Sequence, residues 1–255
     1  MSKRKETARV ISQEKLADEI YSMWIKTGIA SDAVPGQFLS VYTKDKTRLL
    51  PRPISICEAD DKDGGRLRIV YRIAGAGTKE FSEYKAGDEV DILGPLGNGF
   101  PIKNEKAILV GGGIGIPPML ELAKRLKGEK TIVLGYRNKD TFLDKEFLSY
   151  GNVVIATDDG SLGTKGNVID AIKENKVDGG VLYACGPTPM LRGVKKFAEE
   201  NSIEAYISLE ERMACGVGAC LGCVCKSTDT DDHSKVKNKR ICADGPVFNA
   251  TEVEL

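Results

Sequence analysis

Up to about residue 100, short apolar runs alternate with polar positions and are separated by turns rich in Gly, Asp and Lys. The alternation has the period of two that a half-buried strand requires. The candidate strands cover residues 21–25, 36–42, 54–57, 67–71 and 90–93. Many short strands of this kind predict a small antiparallel β-barrel. The Gly- and Pro-rich stretch 94–101 is typical of a domain junction.

From Ala107 onward the pattern changes to apolar strands that alternate with helical stretches. The candidate strands are 107–110, 131–136, 153–157, 181–185 and 205–209, and the candidate helices are 119–126, 167–173 and 189–200. Such alternation predicts an α/β domain with a parallel sheet and crossover helices. A third, cysteine-bearing part begins at about Glu210. The predicted fold class is therefore a β-barrel plus an α/β domain, followed by a small C-terminal module.

Composition narrows the function classes. The 255 residues carry 37 Lys and Arg and 37 Asp and Glu, so the net charge is zero and no basic patch predicts nucleic-acid binding. No apolar stretch approaches the roughly 20 residues of a membrane span. A reduced, cytoplasmic setting is expected, because it suits exposed thiolates and a metal cluster. The sole histidine, His233, lies in a polar stretch, of which 227–232 is predicted to be a mobile loop.

The cysteines near the C-terminus carry the most specific signal. Their spacing is C-x4-C-x2-C with a distant fourth cysteine, which is the plant-ferredoxin spacing for a [2Fe–2S] cluster. Small residues between them allow the backbone to curl and to direct N–H groups at sulfur. We assign four metal ligands: Cys215, Cys220, Cys223 and Cys242.

Two alternative interpretations of these cysteines are weaker. Structural zinc usually takes two short C-x2–4-C pairs, whereas three cysteines crowd into one loop here. Disulfides suit neither an odd number of cysteines nor the polar start of the chain. Cys225 is either a spare ligand or a small buried side chain, and the second alternative is favoured.

Two loops of the α/β domain are candidate nucleotide-binding elements. Gly112, Gly113 and Gly115 lie between a strand and a helix, where glycines allow a pyrophosphate to approach the backbone. The alternative is a tight turn with no ligand. Cys185, Gly186 and Pro187 follow a later strand of the same predicted sheet, so both loops reach the edge where such sheets bind ligands. Cys185 either abuts a nicotinamide ring or is a buried cysteine at a strand end.

The barrel half contains a second set of candidate binding residues. An arginine fork suits a phosphate or pyrophosphate, and a serine shortly after it can hydrogen-bond a flavin ring nitrogen. Tyr71, Arg72 and the Gly77–Thr78 pair can add ring packing, a second cation and a backbone contact. The candidates are Arg52, Pro53, Ile54, Ser55, Val70, Tyr71, Arg72, Gly77 and Thr78.

Taken together, these motifs resemble the ferredoxin-reductase superfamily with a C-terminal [2Fe–2S] module, over nearly the whole chain. Arg52–Ser55 resembles its flavin signature, Gly112–Pro117 its pyridine-nucleotide loop, and Cys185–Pro187 its nicotinamide loop. Within it, the chain is similar to electron transfer subunits of NAD-dependent dihydroorotate dehydrogenase B. The runs 52–56, 71–72, 77–78, 93–100 and 211–220 carry this likeness.

Two departures are visible. A proline and an isoleucine stand within the flavin signature where the superfamily has a variable residue and a tyrosine. The gap between the third and fourth ligands, residues 224–241, is long at 18 residues.

The resemblance implies an FAD-binding barrel domain over 1–100, an NAD-binding domain over 101–209 and a [2Fe–2S] module over 210–255. Electrons would come from the FMN of a separate dihydroorotate dehydrogenase catalytic subunit, in a heterotetramer of pyrimidine biosynthesis, and pass through the cluster and FAD to NAD+. Arg52 would bind the FAD phosphates, Ser55 the flavin ring, and Tyr71 would pack beside it. Dihydroorotate as substrate follows from the resemblance alone.

Other functions stay open at this point. One is a reductase subunit of another complex: ferredoxin:NADP oxidoreductase, sulfide or sulfite reductase, or a hydrogenase diaphorase. Another is a non-enzymatic iron–sulfur redox sensor, which would not need both flavin and nicotinamide signatures. Arg137 suits the 2′-phosphate of NADP, whereas Asp158 and Asp159 disfavour it, so NAD is preferred.

Overall fold

The computed structural model describes residues 3–230 and 235–255. The predicted mobile loop 227–232 therefore lies partly outside the described residues, and His233 lies wholly outside them. Among the described residues, no helix is long and apolar enough to cross a membrane.

The N-terminal part is a closed antiparallel barrel with strand order β1-β2-β5-β4-β3-β6, which confirms the predicted architecture. The strands are β1 (Arg4–Ala17), β2 (Ile20–Lys26), β3 (Phe38–Val41), β4 (Arg52–Asp60), β5 (Arg66–Arg72) and β6 (Glu89–Leu96). The long strand β1 and the short helix α1 (Ala76–Ser82) were not predicted. Only Ala8 and Val10 of β1 are buried, so its sequence is mostly polar and carries a weak strand signal.

The second part is a seven-stranded sheet with order β10-β9-β8-β7-β11-β12-β15. Its strands are β7 (Ala107–Gly112), β8 (Lys130–Tyr136), β9 (Asn152–Thr157), β10 (Thr164–Lys165), β11 (Val181–Cys185), β12 (Glu204–Ser208) and β15 (Val247–Asn249). The crossover helices are α2 (Pro117–Arg125), α3 (Asp144–Phe147), α4 (Val168–Glu174) and α5 (Thr188–Glu200). All strand pairs are parallel except β12 with β15, which confirms the predicted α/β domain.

Alternate residues of each central strand face opposite apolar layers. In β7, Ala107 and Leu109 pack with α2 and α3, whereas Ile108 and Val110 pack with α4 and α5. The first layer also contains outward-facing barrel residues such as Val70. The second layer contains Cys223 and Cys242, two of the predicted cluster ligands. The sheet therefore packs against the barrel on one face and against the cysteine segment on the other.

The C-terminal segment does not stay apart from the sheet. It forms a hairpin of β13 (Val224–Lys226) and β14 (Asn238–Arg240), and its last strand, β15, then pairs antiparallel with β12. The sequence did not predict this return, because three residues are too few to establish a period. Lys195 of α5 donates to the carbonyl oxygen of Val253 at 2.8 Å, which holds the tail against the α/β domain.

Candidate cofactor sites

The predicted flavin signature lies at the start of β4, on the barrel surface. Ile54 is buried in the barrel core, and Pro53 and Ser55 face outward because strand residues alternate. Arg52 lies over Gly77, the second residue of α1: a Cβ at Gly77 would be 2.6 Å from the Arg52 Nε. Glycine at position 77 therefore allows the guanidinium to lie against the backbone. The result is a cationic cradle suited to a phosphate group.

The backbone beside this cradle is held in place by Thr78. Its Oγ1 accepts hydrogen bonds from the N–H groups of Ala74 at 2.8 Å and Gly75 at 3.3 Å. The hydroxyl is thus engaged in the turn that begins α1. A ligand contact of Thr78 through its backbone stays a prediction.

The side chains at positions 70–72 of β5 point in different directions. Val70 is buried between the barrel and the nucleotide sheet. Tyr71 points into the barrel, where it is 2% exposed, meets Phe81 edge-on at 6.1 Å and donates to Gln13 Oε1 at 2.9 Å. Its ring is therefore not available to pack beside a flavin, which corrects the role we expected for it: strand alternation turns it inward.

Arg72, by contrast, is exposed and reaches toward the nucleotide domain. A Cβ at Gly113 would lie 3.9 Å from its Nη2. The end of β5 therefore brings a cation from the barrel to the glycine loop that follows β7.

The two predicted nucleotide loops pack backbone against backbone. Cys185 of β11 is in register with Gly111 of β7, so both strands end at the same sheet edge. A Cβ at Gly115 would overlap the carbonyl oxygen of Cys185, and one at Gly112 would overlap the Sδ of Met190. Glycine is required at position 115, where the obstacle is backbone, whereas at Gly112 the obstacle is the flexible end of the Met190 side chain.

Two helices begin at this edge. Pro117 opens α2, and Pro187 immediately precedes α5. Pro117 and Pro118 carry no N–H, and the Met119 N–H donates to the Ile116 carbonyl at 3.1 Å. Of the two helices, α5 is therefore the one whose first turn offers free N–H groups, which favour negative charge. The edge therefore suits the pyrophosphate of a dinucleotide.

Cys185 is half-buried at the sheet edge where these two loops meet, an edge that we call the nucleotide crevice. Burial raises the pKa of its thiol to about 12, and a hydrogen bond with Ser208 opposes that rise only in part. The thiol is consequently neutral at physiological pH. It offers a small polarisable surface to a ring and no charge.

The four predicted ligands form two pairs. The sulfur atoms of Cys215 and Cys220 are 3.3 Å apart, and the Cys220 N–H lies 3.4 Å from the Cys215 Sγ. In the second pair, the Cys242 N–H lies 3.4 Å from the Cys223 Sγ. Cys223 and Cys242 are fully buried, whereas Cys215 and Cys220 are half-buried.

This pairing fits a cluster of two irons, each held by two thiolates. Within residues 3–230 and 235–255, no three His, Cys, Asp or Glu side chains surround one point as a single metal ion requires. Burial raises the pKa of Cys215, but the N–H groups of Cys220, Val217 and Ala219 outweigh it and lower the pKa to about 6. The conformation of the loop itself therefore directs these backbone N–H groups at the Cys215 sulfur.

Cys225 belongs to neither pair. It lies on β13 opposite Lys239, half-buried against the layer that α4 and α5 form with the sheet. Burial raises the pKa of its thiol. This placement agrees with the alternative of a small buried side chain.

The sequence did not predict a contact between the cluster loop, residues 215–223, and strand β3, the neighbour of the strand that carries the predicted flavin signature. A Cβ at Gly216 would lie 2.8 Å from the Oγ of Ser40, a residue of β3 that is 2% exposed and pairs with Pro53. Leu39 and Val41 face the barrel core, so Ser40 faces outward with Pro53. The alternation of inward and outward residues in β3 was the one signal in the sequence that Ser40 faces outward, and it does not show which segment covers that face.

Barrel, nucleotide sheet and cluster loop together define a reductase of the ferredoxin-reductase class with its own iron–sulfur module. Residues 210–254 match a family model described as the iron–sulfur cluster binding domain of dihydroorotate dehydrogenase B, and residues 109–196 match the oxidoreductase NAD-binding domain. These matches and the reductase neighbours confirm the predicted cofactor set of FAD, a [2Fe–2S] cluster and NAD.

Similar proteins narrow the class to one family. The chain is 46% identical, over 97% of its length and 98% of the relative's, to the dihydroorotate dehydrogenase B (NAD(+)) electron transfer subunit of Listeria monocytogenes serotype 4a (strain HCC23). It is 44% identical, over 99% of both chains, to the protein of the same name from Lysinibacillus sphaericus (strain C3-41). The chain belongs to this family of electron transfer subunits.

Solved structures agree with the fold. A chain from the NADH-dependent reduced ferredoxin-NADP oxidoreductase, described for flavin-based electron bifurcation, aligns with TM-score 0.87 and 31% identity, covering 97% of this chain and 89% of that one. The ferredoxin reductase of carbazole 1,9a-dioxygenase aligns with TM-score 0.66 and 18% identity over 80% of this chain and 67% of that one, which supports the fold alone.

Proposed function

We propose that this chain transfers electrons from a separate FMN-containing catalytic subunit, which oxidises dihydroorotate, through its [2Fe–2S] cluster and FAD to NAD+ in pyrimidine biosynthesis. The observation that carries the proposal is the serial arrangement of three candidate sites. Gly216 of the cluster loop lies against Ser40 of β3, and β3 pairs with β4, which carries the predicted flavin signature. Arg72 of β5 lies near Gly113 of the glycine loop.

Each site contributes binding and orientation. The Arg52 guanidinium offsets phosphate charge beside Gly77, and the outward Ser55 presents its hydroxyl to the flavin ring. The sheet edge where the loops of Gly115 and Cys185 meet holds the nicotinamide end, and the neutral Cys185 thiol adds no charge beside it. When bound, FAD supplies the exchange between single electrons and hydride.

An exposed apolar surface beside the cluster supports a partner subunit there. Leu221 is 76% exposed, Val217 38% and Val224 37%, and all three lie within the cysteine segment. Exposed apolar groups around a redox centre are typical of a docking surface. We propose that the catalytic subunit covers them and that the assembly is a heterotetramer of two subunits of each kind.

The acidic residues at the end of β9 support NAD over NADP. Tyr136 and Thr157 are paired at the ends of β8 and β9, so Arg137 and Asp159 follow side by side, and the Asp159 N–H donates to the Arg137 carbonyl at 3.3 Å. Hydrogen bonds from Ser161 lower the pKa of Asp159, which keeps it ionised. A carboxylate at this edge repels a 2′-phosphate. No disulfide joins any of the seven cysteines, which agrees with the proposed reduced, cytoplasmic setting.

The test is an anaerobic assay of the chain with its co-purifying partner, to which dihydroorotate and NAD+ are added. We expect NADH to form, and to stop forming when this chain is removed and return when it is added back. The matched control is the partner alone with an artificial electron acceptor, which should still oxidise dihydroorotate.

The likeness to the ferredoxin-NADP oxidoreductase chain favours a second candidate function, that of a reductase subunit that exchanges electrons with ferredoxin. Identity of 31% to that chain, against 46% to a dihydroorotate dehydrogenase subunit, favours the first candidate. Absence of NADH from dihydroorotate, together with NADH-dependent reduction of added ferredoxin, would reverse this order.

A further inference from the structure

A set of charged residues joins the barrel to the nucleotide domain at the ends of β4 and β5 that lie opposite Arg52 and Arg72. Arg68 of β5 is only 4% exposed, and it holds Glu146 of α3 through two hydrogen bonds, of 2.6 and 3.1 Å. It also donates to Glu58 of β4 at 2.9 Å and to the Ser22 hydroxyl of β2 at 2.9 Å. A guanidinium with this many fixed acceptors has one orientation.

A second anchor comes from α2. Glu121 is 1% exposed, and its Oε2 accepts the backbone N–H of Ala59 of β4 at 3.1 Å. Ala59 lies beyond the part of β4 that β3 covers, so the Glu121 carboxylate takes the place of a strand partner. Arg125 donates to Glu121 at 2.6 Å and to the carbonyl of Ala33 at 3.3 Å.

Arg68, Glu58 and Glu121 lie on elements that carry cofactor signatures. Strands β4 and β5 bear Arg52–Ser55 and Arg72 at one end and the anchors at the other. Helix α2 starts directly after the glycine loop, and Glu121 lies four residues after Pro117, about 6 Å along the axis. Arg68 is four residues before Arg72, about 13 Å along the strand. Only four residues of regular helix or strand therefore separate Glu121 and Arg68 from the predicted cofactor-binding residues on the same elements.

We propose that Arg68, Glu146, Glu58 and Glu121 form an interdomain clamp that sets the distance and angle between the flavin and nicotinamide sites. They are positioning residues, since none of them lies at either candidate cofactor site. Hydride transfer depends steeply on this geometry, and a displacement of about 1 Å can cost about 100-fold in rate. The inference rests on the proposed function, because it needs FAD and NAD at the predicted sites.

The test is the rate at which NADH reduces the flavin of the purified chain carrying FAD and cluster. Glu146→Gln removes one charge from a side chain that is 42% exposed, so the chain should still fold. We expect about a tenfold slower reduction and a weaker long-wavelength absorbance from nicotinamide–flavin stacking, with unchanged FAD and iron content. Glu146→Asp keeps the charge and should recover part of the rate.

Two further variants separate positioning from general damage. Ser22→Ala removes one acceptor from Arg68 and should give a smaller loss in the same direction. Glu200→Gln alters an exposed ion pair with Lys196 on α5 of the same domain and should match the wild type. Independently of turnover, Glu121→Ala should speed amide hydrogen exchange in residues 57–60 of β4.

The outcomes are distinguishable. A wild-type chain whose flavin is not reduced by NADH would contradict the proposed function. A wild-type chain that is reduced, with Glu146→Gln and Ser22→Ala both within twofold of it and unchanged in absorbance, would overturn the clamp. A parallel loss of FAD and of rate in Glu146→Gln, with Ser22→Ala normal, would likewise overturn it, since the residue would then only support folding.

Discussion

The cluster loop and the nucleotide crevice are both rich in glycine, yet individual glycines in them are needed for different reasons. In the cluster loop, Gly216 and Gly218 have positive φ angles of 68° and 87°, a conformation that side chains disfavour. In the crevice, Gly115 has no such angle, and instead the carbonyl of Cys185 occupies the space where its Cβ would be. Gly113 of the crevice also has a positive φ, of 53°, so the contrast is between Gly216 and Gly218, which are needed for backbone conformation, and Gly115, which is needed for close packing.

The difference follows from how each site is built. Three of the four predicted cluster ligands lie within nine residues, 215–223, so local backbone geometry forms most of this candidate site. The crevice joins two segments about 70 residues apart, and only the parallel pairing of β7 with β11 brings them together. Substitutions should therefore act locally in the first site and across strands in the second.

The largest effect should come from Cys223→Ser, which removes a buried ligand from the second sulfur pair. We expect loss of most cluster iron and a fall of about 100-fold or more in NAD+ reduction by dihydroorotate. The crevice should be untouched, so NADH should still reduce FAD. Iron content and stopped-flow flavin reduction measure the two halves. Cys225→Ser is the matched control, and equal iron loss in both variants would contradict the assignment of Cys225 as a non-ligand.

Next in size is Gly115→Ala, whose methyl group would overlap the Cys185 carbonyl. Backbone must shift, at a cost of about 2 kcal/mol, so NADH should bind about 30-fold more weakly while the cluster stays intact. Titration of flavin reduction against NADH concentration measures it. Gly193→Ala on α5 has only a 3.5 Å contact to Ile169 and should bind NADH normally. Unchanged affinity in Gly115→Ala would mean that the crevice does not bind the nucleotide.

A smaller effect is expected from Gly218→Ala, which forces a side chain to a φ of 87° and brings its Cβ to 2.8 Å from the Ala243 Cβ. The strain is about 1–2 kcal/mol, and it should lower the unfolding temperature and the iron content. Gly222→Ala, in the same loop, meets its nearest atom at 3.5 Å and has no positive φ, so it should change stability by about 0.5 kcal/mol or less. Similar losses in both variants would contradict the argument from conformation.

The smallest effect concerns pH. The pKa of Cys185 is raised from 9.0 to about 12, so the thiol stays protonated in the folded chain throughout the ordinary range. Flavin reduction by NADH should therefore show no titration from this group between pH 6 and 9, and Cys185→Ala should leave the profile flat. Any stability that depends on the protonated thiol is complete below pH 9 and is lost as pH rises toward 12. A step near pH 8 that disappears in Cys185→Ala would refute the raised pKa.

The comparison also explains which parts of the fold were predictable. Central strands such as β7 and β11 carry strong apolar runs, and they lie within one or two residues of their predicted bounds. Strand β1 was missed because most of its residues face water, and β15 because it is three residues long. The inward turn of Tyr71 was missed because a motif does not state which face of a strand a residue occupies.

The sequence by itself determined the order of barrel, nucleotide sheet and cysteine segment, and it predicted the four cluster ligands and the two nucleotide loops, because each depends on spacing along the chain. Only the tertiary structure decided that the ligands pair two by two, that Gly216 rests on Ser40, and that Arg68 and Glu121 join the two larger parts. Those contacts link residues up to 176 positions apart, from Ser40 to Gly216, and each depends on which strand face packs against which neighbour. That choice is made by burial of the whole apolar surface at once, which no local pattern records.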